Sequence, residues 1–328
     1  MRRTLRNEDC LDDRAGRLAT IKTAMIQYLY LGRVDYDEGL RLQAEMAALV
    51  AEGRVENVLL LLEHPPVLTL GRNASRSNIL VSDEFLASRG VTVHEIDRGG
   101  DVTYHGPGQL VGYPIFDLRT LPNPNGGRMG PLDFVRLMEE ALIRLCAIFA
   151  VPAGRIPGLT GVWCGINAGN KEQGAGNEHQ GLGTQGLGTG GGPAGAERKI
   201  GAIGIHVARG IISHGFAFNV TTDLRDFALI VPCGIPDHAV TSLERELERK
   251  SGWPVNLPAL AAVAHQAARQ FGAVFDQQVL EVESLAVLRA GAKTAAQSAP
   301  EFPAEDTPLR VPAEVERLRH KENHPMQA

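Results

Sequence analysis

Cys233 stands in Val231-Pro232-Cys233-Gly234-Ile235-Pro236, an irregular stretch between a proline and a glycine. Cysteine is among the most buried residue types, so a cysteine on an apolar periodic run is ordinary packing. Cys146, on an apolar helical pattern, and Cys164, beside Trp163 at a strand end, fit that description, and Cys10 lies in a polar N-terminal stretch. Cys233 fits it least and is the candidate nucleophile. A thiol with the ordinary pKa of about 8.5 is only a few per cent thiolate at neutral pH, so it needs a cation or a base beside it. Lys199, which opens the apolar run Lys-Ile-Gly-Ala-Ile-Gly-Ile, is the leading partner. His64, His105, His206, His214 and His238 are the rivals, and spacing alone leaves a Cys-His pair with His238 open. No His, Cys and Asp grouping has metal-ligand spacing, so neither a metal nor another cofactor is expected.

The second stretch with chemical character is Arg98-Gly99-Gly100-Asp101-Val102-Thr103-Tyr104-His105-Gly106-Pro107-Gly108-Gln109. Four glycines and a proline in twelve residues exclude a regular helix or an uninterrupted strand. Strand-like runs flank it, Val91 to Ile96 before and Gln109 to Phe116 after. The dozen therefore reads as a glycine-rich turn that lets a ligand approach the backbone, with Arg98, Thr103, Tyr104, His105 and Gln109 as its polar and aromatic side chains.

The elements that must position these residues follow from periodicity. Strands are expected at Ala24 to Leu31, Val58 to Leu62, Val67 to Leu70 and around Val162-Trp163. A helix is expected from Asp35 to Val50, capped by Asp35 or Asp37, with others near Asp83 to Ser88 and from Leu132 to Phe149. Ile200 to Val207 and Ile211 to Val220, joined by Ala208-Arg209-Gly210, read as a hairpin. Thr241-Ser242-Leu243-Glu244 starts a short helix, and Asn256 with Pro258 starts a last one through Phe271. Strands outnumber helices and neighbours can pair, which predicts an α+β fold, a mixed sheet flanked by helices. One domain spans 23–285. Residues 1–22 and 286–328 read as disordered tails, and the glycine-rich stretch 169–197 as an insertion in a loop between strands.

Composition narrows the class. The chain has 328 residues, 44% of them hydrophobic, enough for one large core. Its net charge of −5 advertises no nucleic-acid partner. The four cysteines lack CxxC spacing, and the start of the chain resembles neither a secretory signal nor a transit peptide, so a cytoplasmic location is expected. No apolar run is long enough to span a bilayer, and no membrane partner is expected.

Three stretches together make the chain resemble the lipoyl(octanoyl) transferases, the octanoyl-[acyl-carrier-protein]:protein N-octanoyltransferases. They are the Arg98 to Gln109 dozen with Tyr113, Lys199 to Gly204 through His214 to Asn219, and Pro232-Cys233-Gly234 followed by Val240-Thr241-Ser242-Leu243. The resemblance covers roughly residues 24–280. It implies the fold of the biotin and lipoate protein ligases. It implies transfer of an octanoyl group from octanoyl-acyl carrier protein to a lysine of lipoyl domains, on 2-oxoacid dehydrogenase E2 subunits and the glycine cleavage H protein. On that pattern Cys233 carries the acyl group as a thioester, and Lys199 lowers the thiol pKa and moves protons. Substrate would lie against Arg98, Gly99, Gly100, Asp101, Val102, Thr103, Tyr104 and His105, against Ala202, Ile203 and Gly204, and against Gly215, Phe216 and Ala217. Tyr104, Ile203 and Phe216 are the expected walls of an apolar slot. The alternatives are an ATP-dependent lipoate or biotin ligase of the same fold, which needs no cysteine, and a non-catalytic module that binds lipoyl domains.

Overall fold

The computed structural model describes residues 25–166, 197–231 and 238–294. The proposed tail 1–22, Cys10, nearly all of the proposed insertion and the stretch holding Cys233 lie outside the described residues, as does the chain after 294.

A nine-stranded mixed sheet organises the molecule, built from β1 (Met25–Arg33), β2 (Asn57–Glu63), β6 (Gln109–Ile115), β7 (Ala153–Ile156), β8 (Leu159–Cys164), β9 (Arg198–Ala208), β10 (Ile211–Asn219), β11 (Ala239–Val240) and β12 (Gln278–Glu281). The order is β12-β1-β2-β6-β10-β9-β8-β7, with β11 paired in parallel to β9. β2 is an unbroken apolar run because both of its faces are covered. Leu59 and Leu61 pack under α3 (Pro131–Ile148) and α5 (Leu260–Phe275), with Phe134, Leu142 and Phe271. Val58, Leu60 and Leu62 face α1 (Tyr36–Ala51), with Leu42, Met46 and Leu49. A second sheet of β3 (Val67–Leu70), β4 (Thr92–Glu95) and β5 (Val102–His105), in the order β4-β3-β5, lies with α2 (Asp83–Ser88) and has its own small core around Leu68, Leu86, Tyr104 and Phe227.

The α+β expectation holds, and the β9–β10 hairpin forms with Arg209 at φ 52° and Gly210 at φ 85°, the two positive angles that a tight two-residue turn requires. Several expectations are corrected. The Arg98 to Gln109 dozen is more than a turn: it holds β5, which pairs antiparallel with β3, while β6 belongs to the other sheet. Asp35 precedes α1, but its side chain makes no cap bond. The α5 helix starts at Leu260, two residues after Pro258, and runs on to Phe275. The chain after 285 is not all tail: α6 (Leu285–Thr294) follows β12 and buries Leu288 against Val282 and the α1 face of the sheet. Leu224–Leu229 is a 3-10 helix, and Ser242 caps α4 (Leu243–Ser251) by accepting from the Arg245 amide at 3.1 Å.

Candidate active site

A cavity of about 220 Å³ opens between the main sheet and the second sheet. Its floor is β9 and β10 where they carry the least bulk: Ala202 is paired with Ala217, and Gly204 with Gly215. The roof is the Arg98–Gly100 loop and β5. The two surfaces meet at Gly204, where the Gly99 amide donates to the Ile205 carbonyl at 3.0 Å. A Cβ on Gly204 would stand 2.6 Å from the Gly99 carbonyl oxygen, so only glycine admits that approach. Arg98 fixes the loop from within. It is buried, and its Nη2 donates to the Thr69 carbonyl at 2.8 Å and the Thr69 hydroxyl at 2.9 Å, while Nη1 donates to the Gly99 carbonyl at 3.0 Å.

Lys199 closes one end of the cavity, beside Gly158, Leu159 and Thr160 from the β7–β8 hairpin. A β-bulge aims it there. Val162 pairs with Gly201 but Trp163 pairs with Lys199, so β9 carries one extra residue, which re-aims its neighbours. The Lys199 Nζ lies 4.6 Å from the centroid of the Trp163 ring. The carboxylate of Glu139, fully buried on α3, accepts from the Gly161 amide at 3.0 Å and pairs with Arg136 and Arg155, which pins the hairpin.

The other end is walled by Tyr36, Tyr113, His105 and His214. Behind it, the Val34 carbonyl at 2.6 Å places the His64 proton on Nδ1, so Nε2 accepts from the Tyr113 hydroxyl at 2.7 Å. Burial holds both inner histidines neutral, pushing His64 down to about 4 and His105 to about 3, the latter aided by repulsion from its neighbour. His214 adopts φ 56°, its amide donates to Gln43 at 2.7 Å, and its Nε2 bonds the Asp97 carboxylate at 2.8 Å. Burial lowers the His214 pKa against the pull of Asp97, whose own carboxyl is held below its ordinary value by the same bond.

A scan against family models matches the lipoyl protein ligase A/B catalytic domain over residues 35–265. An octanoyltransferase of Acidobacterium capsulatum is 54% identical over 263 residues, 79% of this chain and 94% of that protein. One of Koribacter versatilis is 44% identical over 301 residues, 92% of this chain and 99% of that protein. The chain belongs to the octanoyltransferase family. Its fold also matches solved structures at low identity. A putative lipoate protein ligase from T. acidophilum with bound lipoic acid has a TM-score of 0.53 at 14% identity, covering 82% of this chain and 93% of that one. A lipoate-protein ligase A bound with ATP has a TM-score of 0.52 at 15% identity, covering 82% and 92%.

In this octanoyltransferase, the cavity gathers Arg98, Gly100, Asp101, Thr103, His105, Lys199, Ala202, Ile203, Gly204, Gly215, Phe216 and Ala217 from the residues expected at the site. Strand alternation removes one of the expected walls, Tyr104. On β5, Thr103 and His105 face the cavity, while Val102 and Tyr104 face the small core, where the Tyr104 hydroxyl donates to Asp226 at 2.7 Å. Ile203 and Phe216 stay on the cavity lining and also pack with the α3–α5 cluster, where Phe216 stacks on Phe271. Tyr36, Val111, Tyr113 and Leu159 supply further apolar lining. Gly99 is spent on its bond to Ile205. Cys146 and Cys164 are buried, and burial raises both thiols, Cys164 to about 12. The rival His206 sits with Asp97 and His214, remote from Lys199 along β9, whereas His238 packs on Trp163 with ring centroids 5.1 Å apart.

Cys233 lies outside the described residues, but both flanks of its stretch reach the site. The Val231 amide donates to the Asn78 carbonyl at 2.8 Å, and Asn78 Nδ2 donates to the cavity residue Asp101 at 2.9 and 3.0 Å. On the far side, Val240 is the strand partner of Lys199, and the Thr241 amide donates to the Lys199 carbonyl at 2.9 Å. Asn78, Asp97, Trp163 and Tyr36 are site residues that sequence reasoning did not single out. The Asn78 signal was available only as an asparagine beside an irregular turn.

Proposed function

We propose that this chain carries an octanoyl group from octanoyl-acyl carrier protein to a lysine of a lipoyl domain, through a thioester on Cys233. The observation that carries the reading is one cavity in which the Arg98 loop, the β9–β10 floor and Lys199 converge, with the anchors of the 232–237 stretch on either side. The cavity volume suits a short acyl chain, since drug-sized ligands fill roughly 300–1,000 Å³. The Cys233 thiolate attacks the donor carbonyl carbon, the C–S bond to the carrier breaks, and the Lys199 ammonium gives its proton to the departing carrier sulfur, which leaves Lys199 neutral for the next step. One thioester replaces another, so the step is close to thermoneutral and reversible. The acceptor amine then attacks, the C–N bond forms as the C–S bond breaks, and Lys199 takes the amine proton. Conversion of thioester to amide is downhill and needs no ATP. Opposite charge on Lys199 favours the Cys233 thiolate, and the pair shares its protons.

E2 lipoyl domains and the glycine cleavage H protein are the acceptors of this reading, and the cytoplasm its compartment. Among the described residues no helix is long and apolar enough to cross a membrane. The catalytic unit is assigned to 23–285, extended by α6. The test is intact mass after incubation with octanoyl-carrier protein and no nucleotide. An octanoyl adduct, labile to hydroxylamine and mapped to the peptide containing Cys233, is expected, with none in Cys233→Ser. Transfer that strictly requires ATP would establish the ligase alternative, and binding of lipoyl domains without transfer the non-catalytic one.

A further inference from the structure

Lys199 is asked to hold a charge in one step and to accept a proton in the next, so what surrounds its Nζ sets its use. The lysine is buried, and its stem runs past Gly161, where a Cβ would lie 3.3 Å from the Lys199 Cε and 2.6 Å from the Gly201 carbonyl oxygen. That glycine, at φ 127°, keeps a channel for the stem. At the end of the channel the ammonium meets the face of Trp163, 4.6 Å from its centroid, on a side chain with no exposed surface. The bulge makes the two residues cross-strand partners. A cation over an indole face is attracted by the ring quadrupole, and more strongly when the pair is shielded from water.

We propose that Trp163 is a positioning residue of this enzyme: its indole face is the seat of the Lys199 ammonium and holds it at the acylation end of the cavity. This deepens the octanoyl-transfer reading and rests on it for its catalytic meaning, though not for its test. The ring is held on its other flank by His238, which is paired with Glu197 at 3.4 Å. The charged and titratable groups around the seat are Glu197 and His238 beside the ring, Glu139 behind Gly161, and Asp101, Arg98, His105 and His214 around the cavity. None of them changes when the ring alone is altered.

Fluorotryptophans weaken the ring quadrupole stepwise at nearly constant shape. The chain has two tryptophans, and Trp253 is exposed, so a Trp253→Phe background leaves Trp163 as the only labelled site. In the full-length protein, the rate at which the Lys199 amine reacts with acetic anhydride at fixed pH is read by peptide mass spectrometry. It should climb with each added fluorine, by about two- to fivefold across the series, as the ring's hold on the cation weakens. Trp163→Phe, which keeps a weaker face, should fall between. The kcat for acyl transfer should decline in step, with the acceptor KM unchanged. A flat labelling series overturns the seat whatever the enzyme does, because that measurement needs no substrate. A graded labelling series with no acyl transfer by the unsubstituted protein overturns the octanoyl-transfer reading and leaves the seat standing.

Discussion

Arg98 cannot be exchanged for lysine without loss, although charge is kept. Its guanidinium reaches two carbonyls and one hydroxyl, on Thr69 and Gly99, in a planar fork that an ammonium cannot reproduce. Arg98→Lys should leave buried acceptors unmet at about 1–3 kcal/mol, which predicts a fall in kcat/KM of roughly 5- to 160-fold. An unchanged value would show that the loop needs only the charge. The two duties that the proposed mechanism gives Lys199 should separate under a different exchange. Lys199→Arg keeps a cation at that end of the cavity but has no proton-accepting form at working pH. Formation of the octanoyl-enzyme should persist, while transfer to a lipoyl domain should drop by two orders of magnitude or more, about the contribution of general base catalysis. Equal loss of both half-reactions would remove Lys199 from the second step. Lys199 was legible because it opens an apolar strand directly after a glycine-rich stretch, and Arg98 because it heads a run of glycines. Trp163 and Tyr36 were not legible as site residues: a buried aromatic on a strand or helix reads as core until its neighbour across the sheet is known.

The β9–β10 hairpin and the Arg98 loop work as a floor and a roof that touch through glycine. Gly204→Ala would drive a methyl into a backbone carbonyl, an atom that cannot swing aside, and should lift the loop off β9. Activity should fall at least tenfold, with only a modest change in melting temperature, because the rest of the sheet is untouched. Gly201→Ala on the same strand is the control: its Cβ would meet Val162, Leu142 and Phe218 at 3.4–3.6 Å, ordinary contact, and activity should survive. Equal effects at both positions would show that strand propensity, not the close approach, is at work. The sequence announced this hairpin through the short turn Ala208-Arg209-Gly210 between two apolar runs. β7 and β12 were missed because four-residue strands such as Ala-Gly-Arg-Ile and Gln-Val-Leu-Glu carry too few alternations to register. β5 was hidden for a different reason. Two of its four side chains, Thr103 and His105, serve a cavity, so their polarity broke the pattern by which strands are recognised. The same logic misplaced Tyr104: an aromatic residue near a motif suggests a slot, but only the pairing register decides on which side of a strand it falls.

For the molecule as a whole, the buried end of the cavity is a store of acid sensitivity. His64 and His105 are neutral in the fold, at about 4 and about 3, against about 6.5 in an unfolded chain. The folded pKa is depressed, so between those values the unfolded state binds more protons, and stability must rise with pH. Their full contribution is present above about pH 6.5 and is lost progressively as pH falls toward 4, each histidine giving a slope of about 1.4 kcal/mol per pH unit inside that window. His214, lowered by burial, adds to the trend. Carboxylates held down by partners, such as Asp117 beside Arg119 and Asp97 beside His214, titrate lower and leave this window to the histidines. The geometry gives the penalty a structural form. A second proton on His64 would sit between Nε2 and a tyrosine hydroxyl that now donates to it, and one on His105 would face the Thr69 hydroxyl, which already accepts from Arg98. Denaturant unfolding should therefore give free energies that differ little between pH 8 and 7.5 but decline steeply from pH 6 to 5. His64→Gln, which cannot titrate, should flatten that decline by about one proton's worth even though it weakens the protein at neutral pH. A free energy that stays level from pH 7.5 to 5 would mean that these rings accept protons without unfolding. The neutral histidine layer would then have no hold on the fold.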